Sequence, residues 1–112
     1  MADVEDVITT PAAVLAAALH AAGHRPPVLV VADTTAIVRH APDWARSFAS
    51  LEWQHRVRFS DGPADDVEAD AIAAEAAHLG ARTLVAVGGE ATRAAVRAAA
   101  ARTGTPCLVL DD

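Results

Sequence analysis

The sequence predicts an α/β fold in three layers, with helices on both faces of a mostly parallel sheet of four strands, or five if an early segment joins it. Three observations lead there. Val28-Leu29-Val30-Val31-Ala32 and Thr83-Leu84-Val85-Ala86-Val87 are apolar without alternation, the pattern of strands covered on both faces. Longer segments with apolar residues at helical spacing run before, between and after them. The resulting order of helix and strand, repeated four times, requires right-handed crossovers and a layered parallel sheet.

Taken in order, Val4 to Ile8 is the candidate edge strand. Thr10-Pro11 reads as a helix start, because Thr accepts from an orphan N–H and Pro at the first helical position lacks a donor that would go unused. This helix is expected to run to about Ala22 with Val14, Leu15, Ala18 and Leu19 inward, and to stop at Gly23. After Pro26-Pro27 comes the first long strand. Thr34 to Leu51 reads as helical with a break before Pro42, and Trp44, Phe48 and Leu51 share one core-facing side. Gln54 to Phe59 alternates, with Val57 and Phe59 on one face and Arg56 and Arg58 on the other, as near a sheet edge. Ser60-Asp61-Gly62-Pro63 is a turn. Asp65 or Asp66 caps a third helix reaching Leu79, with Val67, Ala71, Ile72, Ala74 and Leu79 as its buried stripe and Gly80 as its stop. Gly88-Gly89 breaks the next strand. Ala91 to Arg102 forms an alanine-rich helix ending at Gly104, and Pro106 leads into a last strand through Leu110.

Composition narrows the function classes. At 112 residues the chain has the length of one domain, able to bury roughly two-thirds of its unfolded surface. No apolar stretch reaches the roughly 20 residues needed to span a bilayer, and the first residues lack the basic flank of a signal peptide, so a cytoplasmic location away from membranes is expected. The formal charge is −6 and all nine basic residues are scattered arginines, which argues against nucleic acid as a partner. Without lysine there is neither a Schiff-base nucleophile nor a phosphate-loop lysine. The lone Cys107 excludes an internal disulfide and reads as a buried small hydrophobe. His20 and His24 are separated by Gly23, while His40, His55 and His78 stand apart, so no metal site is expected and solvated or capping roles are. No serine or cysteine sits at a nucleophile elbow.

In an open parallel sheet the ligand crevice lies beyond the carboxyl ends of the strands, where connections leave on opposite faces. Those ends carry Asp33-Thr34-Thr35, Ser60-Asp61-Gly62, Gly88-Gly89-Glu90-Ala91-Thr92 and Asp111-Asp112. If the first and third long strands are neighbours, Asp33 and Gly88-Gly89 flank one cleft. There the glycines admit a ligand to the backbone, the following helix N-terminus favours an anion, Thr92 adds a hydroxyl, and Asp33 is placed to accept from ribose hydroxyls. The same residues also have a purely structural reading. Gly-Gly makes a tight turn, Asp33 caps the next helix, and Asp61 forms its own turn with Gly62. Glu90 satisfies the helix dipole internally and repels a phosphate unless it turns away.

The progression Val28-Leu29-Val30-Val31-Ala32-Asp33-Thr34-Thr35, Asp61-Gly62 and Gly80-Ala81-Arg82-Thr83-Leu84-Val85-Ala86-Val87-Gly88-Gly89 resembles the N-terminal domain of dehydroquinate synthase-like enzymes, glycerol dehydrogenases and iron-containing alcohol dehydrogenases, from about Ile8 to Leu110. The resemblance implies that residues 1–112 form a single Rossmann-like nucleotide-binding domain. It also implies that Asp33, with Thr34 beside it, contacts the adenosine ribose, that Gly88 and Gly89 cradle the NAD pyrophosphate, and that Asp61-Gly62 lines the cofactor cleft. The sequence departs from the family pattern where Glu90 replaces a third glycine, where Ala94 stands near an expected acid, and where Asp111-Asp112 replaces threonines. The resemblance extends to none of the family's metal-binding helical domain within these 112 residues.

The expectation is therefore an NAD- or nucleotide-binding-like domain without metal, using Asp33, Thr34, Asp61, Gly62, Gly88, Gly89 and Thr92. It is non-catalytic alone, or completed by a partner protein or by another copy of itself. The alternative is a small protein-interaction or assembly domain that has lost cofactor binding, suggested by the acidic groups of Glu90, Asp111 and Asp112. A phosphosugar or four-carbon sugar acid kinase-like fragment is a third reading, suggested only by Gly88-Gly89-Glu90.

Overall fold

The structure, a computed structural model, describes residues 6–61 and 63–111. Its elements are β1 (Asp6–Thr9), α1 (Leu15–Ala21), β2 (Val28–Ala32), α2 (Thr34–Ser50), β3 (His55–Phe59), α3 (Asp66–Leu79), β4 (Thr83–Val87), α4 (Glu90–Thr103) and β5 (Cys107–Asp111). The five strands form one sheet in the order β1-β5-β4-β2-β3, every neighbouring pair parallel. The candidate edge strand thus exists as β1; its expected first residues, Val4 and Glu5, lie outside the described residues.

The uninterrupted apolar runs occupy the centre, as their composition requires. Every side chain of β2 and β4 is buried. Val28, Val30 and Ala32, with Val85, Val87, Leu108 and Leu110, face α1 and α2. Leu29 and Val31, with Leu84, Ala86 and Val109, face α3 and α4. Alternate residues therefore serve opposite layers, and polar substitution at any of them would bury an unpaired group. Strand β3 lies at an edge, where Phe59 is 55% exposed.

Local expectations in four elements are corrected. Helix α2 runs unbroken through Pro42. Proline removes the hydrogen bond to the Val38 carbonyl, but Val38 and Pro42 lie on the outer surface, where water takes that acceptor, while Trp44 and Phe48 are fully buried and hold the helix on the sheet. Leu51, expected inward with them, is the exposed C-cap. In α3 Ile72 is buried and Leu79 packs against the core as expected, but Ala69 and Ala76 complete the buried face, while Val67 and Ala74 are exposed. Cys107, at the start of β5, is only partly buried.

The first helix is the fourth case. Thr10 does not cap it; the chain makes a 3-10 turn over Ala12–Val14, with Pro11 at its cap and no side-chain acceptor, and becomes α-helical at Leu15. The missing acceptor is supplied across the layer. The N–H of Ala16 donates to the buried Ser47 Oγ of α2 at 2.8 Å. Such a cap depends on tertiary packing, so no local pattern announces it.

Of the histidines expected in solvated or capping roles, His20 and His78 are exposed in the last turns of α1 and α3, whereas His40 and His55 are half-buried; three of the five touch aromatic rings. His20 lies edge-on to Trp53 and His40 is tilted against Trp44. His55 stacks on Phe48 at 4.6 Å between ring centroids, and burial lowers its pKa below the ordinary value.

Two outcomes follow. Ser47→Ala leaves the buried Ala16 N–H without an acceptor and is expected to cost about 1–3 kcal/mol in urea denaturation; an unchanged midpoint would refute the tertiary cap. His55 binds a proton less readily when folded than unfolded, so acidification through the window from about pH 6.5 down to its lowered folded pKa favours unfolding. Stability should accordingly fall with pH across that window, and His55→Gln should flatten that part of the profile.

Candidate functional site

The sheet order creates a switch point. From β2 the chain crosses through α2, on one face, outward to β3; from β4 it crosses through α4, on the other face, to β5 on the opposite side. A crevice necessarily opens between the carboxyl ends of β2 and β4, since their connections diverge there. Register then fixes what faces what. Ala32 pairs with Val87, so Asp33 emerges directly beside Gly88.

Asp33 is engaged from both sides. Its Oδ1 accepts from the Ala36 N–H at 2.9 Å, capping α2, and its Oδ2 accepts from the Gly89 N–H at 3.2 Å across the crevice. Gly88 has φ +147°, and a Cβ placed there would lie 2.6 Å from the Asp33 Oδ2. This position therefore needs glycine twice over, for its backbone conformation and for the carboxylate beside it. At Gly89 a Cβ would meet nothing within 4 Å.

Beside this clasp lies a cavity of about 160 Å3, with Val87 and Leu110 in its wall and Asp33, Thr35, Arg39 and Arg93 supplying polar groups. Arg93 donates from Nε to the Gly88 carbonyl at 3.1 Å, which steadies the glycine turn and brings its guanidinium to the cavity. Arg39, from the second turn of α2, has no ion pair with another described residue. Helix α4, with Gly89 as its N-cap, has no side-chain cap of its own, and the Asp33 carboxylate on the Gly89 N–H stands at the positive end of its dipole. Glu90 turns away: its carboxylate is 3.0 Å from Arg97 and its side chain is 79% exposed. The negative group nearest the glycine amides is Asp33, not Glu90.

Of the residues expected at the site, Asp33 and Gly88 line the cavity, and Gly89 is bonded to Asp33. Thr34 is exposed at the start of α2, and its neighbour Thr35 lines the cavity instead. Thr92 is buried, its hydroxyl donating to the Ser60 carbonyl at 3.0 Å. Asp61 is exposed and outside the cavity lining; Gly62 lies outside the described residues. Sequence reasoning missed Arg39 and Arg93. A helical projection contained the signal: Thr35 and Arg39 are four apart, as are Gly89 and Arg93, and each pair therefore shares a helix face with a strand end. Among the described residues no three His, Cys, Asp or Glu converge on a point that would hold a metal. Among the described residues no helix is long and apolar enough to cross a membrane.

Comparison with known proteins gives no match to a protein-family profile and none to a curated protein. Solved structures do share the fold. A probable glycerol dehydrogenase from Sinorhizobium meliloti 1021 superposes with a TM-score of 0.72 at 19% identity, over 94% of this chain and 28% of the enzyme. The iron-containing alcohol dehydrogenase of Corynebacterium glutamicum gives 0.68 at 20% identity, over 94% of this chain and 29% of that one. ValA, the 2-epi-5-epi-valiolone synthase of Streptomyces hygroscopicus subsp. jinggangensis 5008, gives 0.70 at 20% identity, over 97% and 32%, and its structure holds NAD+ and Zn2+. The resemblance read from the sequence holds at the level of fold, and the chain spans about three tenths of these enzymes.

The clasp makes a direct prediction. Gly88→Ala should destabilise the protein by about 1–3 kcal/mol. Asp33→Ser should recover part of that loss in the double variant, because the clashing carboxylate is gone. Strictly additive losses would mean that Asp33 and Gly88 do not touch.

Proposed function

We propose that this chain is a nucleotide-binding domain of the kind found in NAD-using enzymes, and that its ligand lies across the β2–β4 crevice with its diphosphate at the Gly88-Gly89 turn. By itself the domain is non-catalytic; chemistry requires a second set of groups from another domain or chain. The observation that carries this reading is the cavity at the switch point, lined by Arg39 and Arg93 beside the side-chain-free Gly88, one residue before the N-cap of α4. The likeness in fold to ValA, whose structure holds NAD+, supports it.

The residues fit that ligand class in part. The cavity of about 160 Å3 is smaller than the roughly 300–1,000 Å3 of a pocket enclosing a whole drug-sized molecule. It suits a phosphate-sized portion, leaving the rest of a dinucleotide along the open rim. Arg39 and Arg93 supply positive charge for the diphosphate, Gly89 supplies backbone access, and Asp33 supplies an acceptor for ribose hydroxyls. When bound, NAD would bring hydride chemistry; this chain's residues would bind and orient it.

One observation favours a second reading. The Gly89 amide already has an internal acceptor in Asp33, so the turn is satisfied without a ligand. An assembly domain would look the same, with another protein or a second copy of this chain as its partner.

Calorimetric titration with NAD, NADP and ATP separates the two. The nucleotide reading expects saturable heat with at least one of them, abolished by Gly89→Val, whose Cβ has open space in the fold and whose side chain would crowd the approach to the turn. Heats equal to dilution for all three ligands would remove it and leave the assembly reading.

A further inference from the structure

The crevice holds both a positive lining and an anion of its own. Asp33 Oδ2 sits on the Gly89 N–H, the position a ligand oxygen would take at this turn, while Arg39 and Arg93 flank the adjoining cavity from α2 and α4. The two bonds of this carboxylate are unequal. The cap on Ala36 is local, 2.9 Å long and part-buried; the bond to Gly89 is 3.2 Å long, crosses between two strand ends and is exposed. One is built into α2. The other is open to exchange.

We propose that the Asp33 carboxylate is an internal stand-in for a ligand diphosphate: binding transfers the Gly89 N–H from Asp33 to a phosphate oxygen, with Arg39 and Arg93 neutralising the incoming charge. This rests on the reading of the crevice as a nucleotide site and adds how that site is held closed when empty. The exchange is a balanced swap of hydrogen bonds. Gly89 changes acceptor, Asp33 keeps its cap on Ala36, and its released Oδ2 becomes free to accept from a ribose hydroxyl. Two negative groups cannot share the one N–H without repulsion, so occupancy by the ligand and the clasp exclude each other. Apparent affinity for a bare diphosphate is thus the intrinsic affinity multiplied by the fraction of molecules in which the clasp is open. Glu90 does not play this part, because its carboxylate is held by Arg97.

Inorganic pyrophosphate tests the exchange without a ribose, by calorimetry on the wild-type chain and on Asp33→Asn, Asp33→Ser, Arg39→Gln and Glu90→Gln. Asn keeps one acceptor for the α2 cap and Ser is a good cap that is too short to reach Gly89, so the two variants guard each other against loss of folding. The proposal expects both Asp33 variants to bind pyrophosphate roughly tenfold more tightly than wild type, the scale of one charge-assisted hydrogen bond. It expects Arg39→Gln to weaken binding and Glu90→Gln to change it by less than about twofold, as for an exposed charge. An NAD arm identifies the source of the diphosphate: a nucleotide gains the released carboxylate through its ribose, so Asp33→Ser weakens NAD while tightening pyrophosphate.

If wild type binds NAD and pyrophosphate but neither Asp33 variant tightens pyrophosphate, or Glu90→Gln tightens it equally, the exchange is overturned and the nucleotide reading stands. If pyrophosphate tightens as expected and NAD binds to nothing, the exchange stands and the nucleotide reading falls. Absence of pyrophosphate binding in every variant overturns the exchange, and absence of NAD binding as well overturns both.

Discussion

The in-register pairing of β2 with β4 is the constraint on which the rest of the structure depends. Both strands are buried along their whole length, so neither can slip by a residue without turning one layer's side chains into the other layer. Because the register is fixed, Asp33 and Gly88 must leave the sheet side by side. Because α2 and α4 lie on opposite faces, the chain must part between them. The crevice, the bridging carboxylate and the need for glycine at position 88 are consequences of that one pairing.

The neighbouring rim is committed to structure in a way that leaves the crevice free. Ser60, just beyond β3, donates its N–H to the Ala32 carbonyl and its hydroxyl to Glu68 Oε2 at 2.6 Å, while its own carbonyl accepts from Thr92. Three elements, β3, α3 and α4, are thereby tied to the end of β2 through one small residue. Thr92, which looked like a ligand group, is part of that tie. The polar side chains that line the cavity are instead Asp33, Thr35, Arg39 and His40, from the end of β2 and from α2, and Arg93 from α4.

Much of the fold was legible because its signals are local and strong. Val28–Ala32 and Thr83–Val87 contain no polar residue facing either layer except Thr83, which is an unambiguous mark of central strands, and Gly23, Gly80 and Gly104 lie with positive φ where helices were expected to stop. What escaped depends on solvent or on distant packing. Pro42 was expected to break α2, but its missing bond falls on the wet side of a helix anchored by Trp44 and Phe48. Thr10 was expected to cap α1, but the acceptor comes from Ser47, 31 residues away. Asp33 and Gly88-Gly89 were expected to share a cleft and do; the bond between them was not foreseen, since a one-dimensional reading places a carboxylate at a strand end but not the distance across to the next strand. Arg39 and Arg93 escaped because each stands about one helical turn beyond a strand end, outside the strand-end pattern that marks the crevice.

The fold is shared with enzymes more than three times as long. The central claim is that the β2–β4 crevice is a ligand site closed by its own aspartate. A crystal structure grown with NAD tests it most directly. The account predicts density for the diphosphate between Arg39, Arg93 and the Gly89 amide, with Asp33 Oδ2 turned off that amide and Oδ1 still on Ala36. An empty crevice at saturating NAD, with the carboxylate still bridging to Gly89, would contradict it.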